Sequence, residues 1–328
     1  MVHENDLQLP NWLQLSEQAR RANFGQVLRY FVSPLVAIEG IQPEVVQAGR
    51  LTFKTYSAWF SGEQFVFIPA QSAVSLGWSL GADKLAPSEW FAQTNRQLAA
   101  NEGQLWADKA DVDAYVAQLT TPSRIVNMPA LLVARESVPR DWLAQGRYSP
   151  ITRHFTGTQL FFSRFQAEIQ NGLYRTQPET PLLETAHLVL RLLADQQVYQ
   201  VFEKTTFTDQ QLRQTLRQQG YDFVSVDQYE WLRGAGAPTL WPSGNHLPQP
   251  MAESAASFGL DFTADQQAYE ITTDPLVYKG GPCVTGGRYQ LERQLPSSPF
   301  YESGVPTALM GNTDLATRYR RTITVALE

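Results

Sequence analysis

Phe223-Val224-Ser225-Val226-Asp227-Gln228-Tyr229-Glu230-Trp231-Leu232-Arg233-Gly234-Ala235-Gly236 is the most informative stretch of this 328-residue chain. Ser225 stands where a helix N-cap is needed, and Gln228 follows three residues later. The pair can exchange side-chain and backbone bonds as a capping box. Val224 and Tyr229 flank it as a hydrophobic staple, and Gly234 supplies the stop. The stretch predicts a short helix that turns Tyr229 and Trp231 into a core. The same grammar occurs just upstream at Phe207-Thr208-Asp209-Gln210-Gln211-Leu212. There Thr208 caps, Gln211 returns the bond, Leu212 and Leu216 share one face, and Gly220 ends the helix. Both signals describe architecture rather than chemistry.

Outward from this pair, the N-terminal part reads as a helix bearing Leu13, Leu15, Ala19, Phe24 and Val27, then strands at Phe31–Ile38 and Leu51–Phe60. Phe65–Ile68 is a short apolar strand stopped by Pro69, and Ile125–Val133 reads as another. Ala82–Ala117 is polar with a few helical turns. Glu184–Ala194 reads as a helix with Leu183, Ala186, Leu190 and Leu193 on one side. Beyond Gly234 the chain is rich in Gly, Pro, Ser and Asn, with short strands near Leu276–Lys279 and Thr322–Leu327. Long connections on a packed scaffold are where binding usually sits.

Composition bounds the function. Apolar residues make up 43% and charged residues 18%, which is globular composition. The net charge of -6 argues against a nucleic-acid partner, which needs a basic face. One cysteine, Cys283, excludes a disulfide framework. Met1–Pro10 lacks the basic and apolar regions of a secretory signal, and no run of about 18 apolar residues occurs. The expectation is a cytoplasmic protein with no membrane partner. No phosphate-binding loop and no nucleophile elbow are present.

Seven phrases, in order, resemble the formylglycine-generating enzyme (sulfatase-modifying-factor) family. They are Phe65-Val66-Phe67-Ile68-Pro69 to Gly77; Arg124-Ile125-Val126 through Glu136-Ser137-Val138-Pro139 to Trp142; Phe223 to Gly236; and Leu240-Trp241-Pro242-Ser243-Gly244-Asn245. The rest are Phe258-Gly259-Leu260 with Tyr269-Glu270-Ile271-Thr272-Thr273-Asp274; Val277-Tyr278-Lys279-Gly280-Gly281; and Thr317-Arg318-Tyr319-Arg320-Arg321. The fifth departs from the family pattern: Asp265, Gln266 or Gln267 stands for its Gly-Asn, and Tyr269 and Ile271 for its two tryptophans.

The resemblance implies an α+β fold of the C-type-lectin-like variety over residues 64–328, with residues 1–63 as an N-terminal extension packed on it. It also implies a chemistry that this chain lacks the residues to perform. Oxidative members hold copper(I) between two cysteines after the Gly-Gly phrase; Cys283 stands near that place, and no second cysteine exists. The iron-dependent branch uses histidines, and His3, His154 and His187 are isolated here. The leading expectation is therefore a non-catalytic member that binds a peptide or small ligand in the former substrate groove. Trp241, Asn245, His246, Cys283, Arg318 and Arg320 are its candidate contacts. Loop packing for Trp241 and salt bridging for the arginines are the alternative roles. No cofactor is expected, though Asp261, Asp265 and Asp274 could hold calcium. Two other functions stay open: an enzyme with altered chemistry through Cys283, and a structural subunit of a larger assembly.

Overall fold

A long antiparallel meander carries the N-terminal third. The protein is seen here in a computed structural model, which describes residues 3–79, 109–174, 180–194, 197–245, 257–263, 268–281, 291, 294–304 and 316–326. Helices α1 (Leu9–Gln14) and α2 (Glu17–Phe31) lead into β1 (Ile38–Ala48), β2 (Leu51–Phe60) and β3 (Glu63–Ile68). Ser16 caps α2 by accepting the Ala19 amide at 3.2 Å. Phe31, expected in a strand, is the last residue of α2, because Phe24, Val27 and Leu28 extend the helical apolar stripe to it. The other expected strand, Leu51–Phe60, is β2.

The chain continues through β4 (Gln71–Leu76), α3 (Lys109–Leu119), β5 (Arg124–Met128), β6 (Ala130–Ala134), β7 (Val138–Pro139), β8 (Trp142–Ser149) and β9 (His154–Gly157). Next come α4 (Gln159–Tyr174), β10 (Leu182–Glu184), β11 (Leu188–Leu192) and β12 (Tyr199–Lys204). The expected helix at Glu184–Ala194 is thus a hairpin. Leu188, Val189 and Leu190 are all fully buried in the strand between β10 and β12. An apolar run covered on both faces carries no period that separates helix from strand.

The last third contains α5 (Asp209–Gln218), β13 (Asp222–Phe223), α6 (Val226–Gly234), β14 (Tyr269–Ile271), β15 (Val277–Gly280), β16 (Ser303–Gly304), β17 (Thr317–Tyr319) and β18 (Arg321–Val325). Both expected capping boxes form, on α5 with Thr208 and Gln211 and on α6 with Ser225 and Gln228. Tyr229 and Trp231 are buried as expected.

The result is an α+β protein with several antiparallel sheets. The first has the order β1-β2-β3-β6-β18-β13, the second β10-β11-β12-β8-β9, the third β16-β15-β14-β17-β7, and β4 pairs with β5. The third sheet contains one parallel pair, β14 with β17. It gathers short pieces of the second, fifth, sixth and seventh phrases quoted above. Thr317–Val325 is not one continuous strand. It leaves the third sheet after Tyr319 and enters the first at Arg321, which places Arg320 at the crossing.

The main core lies on the first sheet under α1, α2, α5 and α6. Trp12 and Phe24 pack against Phe67 with ring centroids 4.8 and 5.9 Å away. A separate core joins α4 to the second sheet through Phe161, Phe165, Ile169, Leu188 and Val201. Among the described residues, no helix is long and apolar enough to cross a membrane.

The first and second sheets, the two larger by strand length, meet at a backbone-to-backbone joint. The β2–β3 hairpin turns at Ser61-Gly62 with φ of 48° and 80°, the positive-φ pair of a tight type I′ turn. A Cβ on Gly62 would lie 2.8 Å from the backbone of Gly146 in β8, and one on Gly146 would lie 2.4 Å from the Thr156 carbonyl of β9. Only glycine permits this approach. Gln200 of β12 then donates to the Gly62 carbonyl at 2.7 Å.

Candidate functional site

The residues expected to contact ligand are mostly held inside the protein. Trp241 is 1% exposed, and its indole N–H donates to the Gln294 carbonyl at 3.0 Å. It packs with Trp78, Val112, Leu240 and Phe300 in a third core. The Asn245 side chain accepts the Leu240 amide at 2.8 Å and closes the same turn. Arg318 is partly buried and donates to the hydroxyl of Ser137 at 3.1 Å and to its carbonyl. His246, Cys283 and Asp265 lie outside the described residues.

Arg320 is fully buried. It pairs with Glu270 at 3.3 Å and donates to the carbonyls of Ala134, Arg135 and Asp261 at 3.0, 2.7 and 2.8 Å. Its guanidinium sits 4.5 Å from the Phe262 ring centroid. A planar fork with five donors fits such a crossing of strands, where several carbonyls converge. A second buried pair joins Lys279 of β15 to Glu230 of α6 at 2.8 Å. Glu230 also accepts from Thr121 at 2.8 Å and Arg124 at 3.0 Å. Burial pulls the Lys279 ammonium below its ordinary range, and the Glu230 carboxylate opposes that fall. A third pair, Arg321 with Glu63, lies under the sheet joint. Burial pushes the Glu63 carboxyl up, against the pull of Arg321.

The two described calcium candidates serve their own loops. The Asp261 carboxylate accepts the Thr263 amide at 2.7 Å, and the Asp274 carboxylate accepts the Leu276 amide at 2.9 Å. Among the described residues, no three His, Cys, Asp or Glu side chains cluster as metal ligands would. A two-thiolate copper site does not fit this chain, because it has one cysteine to offer. His187, expected on a helix, lies between β10 and β11 with its Nδ1 3.0 Å from Glu168, and is 64% exposed.

A half-open cavity of about 490 Å³, with both polar and apolar lining, lies at the joint of the two larger sheets. Its walls come from β1 and β2 (Gly40, Gln42, Trp59), β3 (Glu63, Gln64), the end of β6 (Arg135, Glu136), β8 (Arg147), β11 with the residues after it (Arg191, Leu193, Ala194) and β12 (Gln200). The Gln145–Gly157 approach and the Gly62–Gly146 contact set how closely these walls stand.

Every arginine at this joint has its own carboxylate. Arg147 pairs with Glu39, Arg135 with Glu44, Arg191 with Glu136 at 2.8 Å, and Arg321 behind the wall with Glu63. The guanidinium of Arg147 lies 4.5 Å from the centroid of the Trp59 ring. Arg191 also donates to the Gln200 side-chain oxygen at 3.0 and 2.5 Å, and sits 5.5 Å over Phe202. The cavity is thus charge-balanced and dense in planar hydrogen-bonding groups.

Sequence reading alone did not find this site. Its residues come from seven strands or the residues just after them, spread over residues 40–200, and no local motif links them. The available signal was polar intrusion into strands: Arg191 within Leu188–Leu192, and Gln200 beside Val201 and Phe202. No protein-family model, curated protein or solved structure matches the chain.

Proposed function

We propose that the chain is a non-catalytic, ligand-binding relative of the formylglycine-generating enzymes, with a C-type-lectin-like main domain. It takes its ligand in the cavity between the two larger sheets. Support for the family reading comes from the way the quoted phrases meet. Glu230 of the third phrase pairs with Lys279 of the sixth, and Glu270 of the fifth pairs with Arg320 of the seventh. Buried ion pairs of this kind serve an architecture rather than turn over a substrate. The lone cysteine supports loss of the copper chemistry.

The cavity carries the binding reading. Its volume falls within the range of small-molecule sites, about 300–1,000 Å³. Trp241 and Arg320, expected in the former substrate groove, are buried, whereas Trp59, Arg147 and Arg191 line an accessible space. A thermal-shift screen of peptides, saccharides, amino acids and carboxylates tests this. Ligands that raise the Tm of the natural chain should fail to raise that of Ala194→Trp, which fills the cavity from its exposed rim. Stabilisation that survives this substitution would refute the assignment. Copper(I) titration of the same protein should reveal no intramolecular two-thiolate site.

A further inference from the structure

We infer that the cavity between the two larger sheets recognises a neutral, polyhydroxylated ligand, namely a short saccharide, and does so without a metal ion. The inference rests on the binding role proposed above and adds the ligand class to it.

The first observation is charge. Arg135, Arg147, Arg191 and Arg321 are matched one to one by Glu44, Glu39, Glu136 and Glu63. The field presented to a ligand is that of four ion pairs, with no net charge. A carboxylate or phosphate ligand would have to displace a glutamate already bonded to its arginine, and a cationic ligand would have to displace an arginine. A neutral ligand displaces neither.

The second observation is hydrogen-bond geometry. Guanidinium, carboxylate and amide groups are planar forks that present paired donors or paired acceptors at a fixed spacing. Vicinal hydroxyls, each both donor and acceptor, complement such forks in either sense. The lining supplies all three kinds: Arg147 and Arg191 as donors, Glu136 as acceptor, Gln42 as both, and Gln64 as acceptor, its amide N–H groups being given to Glu44 and Ser57. The ion pairs hold Arg147, Arg191 and Glu136 in place, so those side chains lose little freedom on binding.

The third observation is the aromatic wall. Trp59 stands in β2 opposite Glu39 of β1 and Gln64 of β3, so indole and polar forks line one space. Arg147 lies over one face of the Trp59 ring, and the indole surface that it leaves to the cavity takes up the C–H surface of a sugar while the hydroxyls turn to the forks. Apart from Arg135 and Glu136, the lining lies outside all seven phrases that resemble the known family. The recognition surface is therefore built from this chain's own strands.

Isothermal titration calorimetry of the full chain against glucose, galactose, maltotriose, cellotriose and chitotriose tests the inference, with succinate, citrate and inorganic phosphate as anionic probes. At least one neutral saccharide should bind saturably, with an affinity that changes less than about twofold between about 0.05 and 0.5 M salt. Trp59→Phe and the exposed-position variant Gln42→Ala should each weaken it about tenfold. Gln42→Ala removes no buried contact, so it keeps the test valid if the tryptophan variant folds poorly. Salt-sensitive binding of the anions with none of the saccharides would overturn the ligand class and leave the binding role standing. Saccharide binding that neither variant weakens would overturn the site. No binding by any probe, with peptides also silent in the thermal-shift screen, would overturn both.

Discussion

Gly146 shows most sharply how one residue controls this structure. A methyl group there would meet the Thr156 carbonyl at 2.4 Å and the Phe155 ring at 2.5 Å. The obstacle on one side is backbone, so it cannot yield by changing rotamer. Gly146→Ala should lower the unfolding free energy by about 3 kcal/mol or more, measured by urea denaturation. A loss below about 0.5 kcal/mol would show that the joint is looser than described. Lys279 makes a complementary case. Its ammonium is fully buried on Glu230 and the Tyr301 carbonyl. Lys279→Met leaves Glu230 with Arg124 and Thr121 only, and should cost about 3 kcal/mol. Converting both partners to apolar residues should restore part of that loss, because no unpaired charge then remains.

At the level of elements, the helix starts were legible and the arginine run was not. Ser225 and Thr208 are read correctly because a cap is a local contract among four residues. Ser225→Ala and Thr208→Ala should each cost about 1 kcal/mol. The β11 hairpin was misread because a strand buried on both faces loses its period. Arg320 and Arg321 are neighbours in sequence, yet the chain changes sheet between them and buries both. That burial depends on partners far away in sequence, Glu270 and Glu63, which no window of the chain displays. The cavity residues were illegible for the same reason. The α5–β13 junction carries a pH dependence of its own. Burial alone would raise the Asp222 carboxyl, but bonds from Arg213, Arg217 and the Phe223 amide outweigh it and hold the group below its ordinary range. A depressed carboxylate stabilises the fold above its unfolded pKa of about 3.9 and loses that contribution as pH falls through the lower folded value. Asp222→Asn should therefore narrow the stability gap between pH 7 and pH 3 in urea titrations. An unchanged gap would contradict the assignment.

For the whole molecule, the organising fact is that two antiparallel sheets share the main core through Leu143, Ala144, Val189 and Phe202 and approach each other closely at a glycine-lined joint. The space left beside that joint is walled by ion pairs. The proposed binding role rests on this cavity. The most direct measurement uses the indole N–H resonances of the eight tryptophans, with Trp59 assigned through Trp59→Phe, during titration with the saccharide and anion panel. Trp12 and Trp241 provide internal references, since their N–H groups are bonded to the carbonyls of Lys54 and Gln294. The account predicts a saturable shift at Trp59 on addition of a neutral saccharide, with Trp12 and Trp241 unmoved. A saturable shift at Trp241 with Trp59 silent would return binding to the former substrate groove and contradict the account.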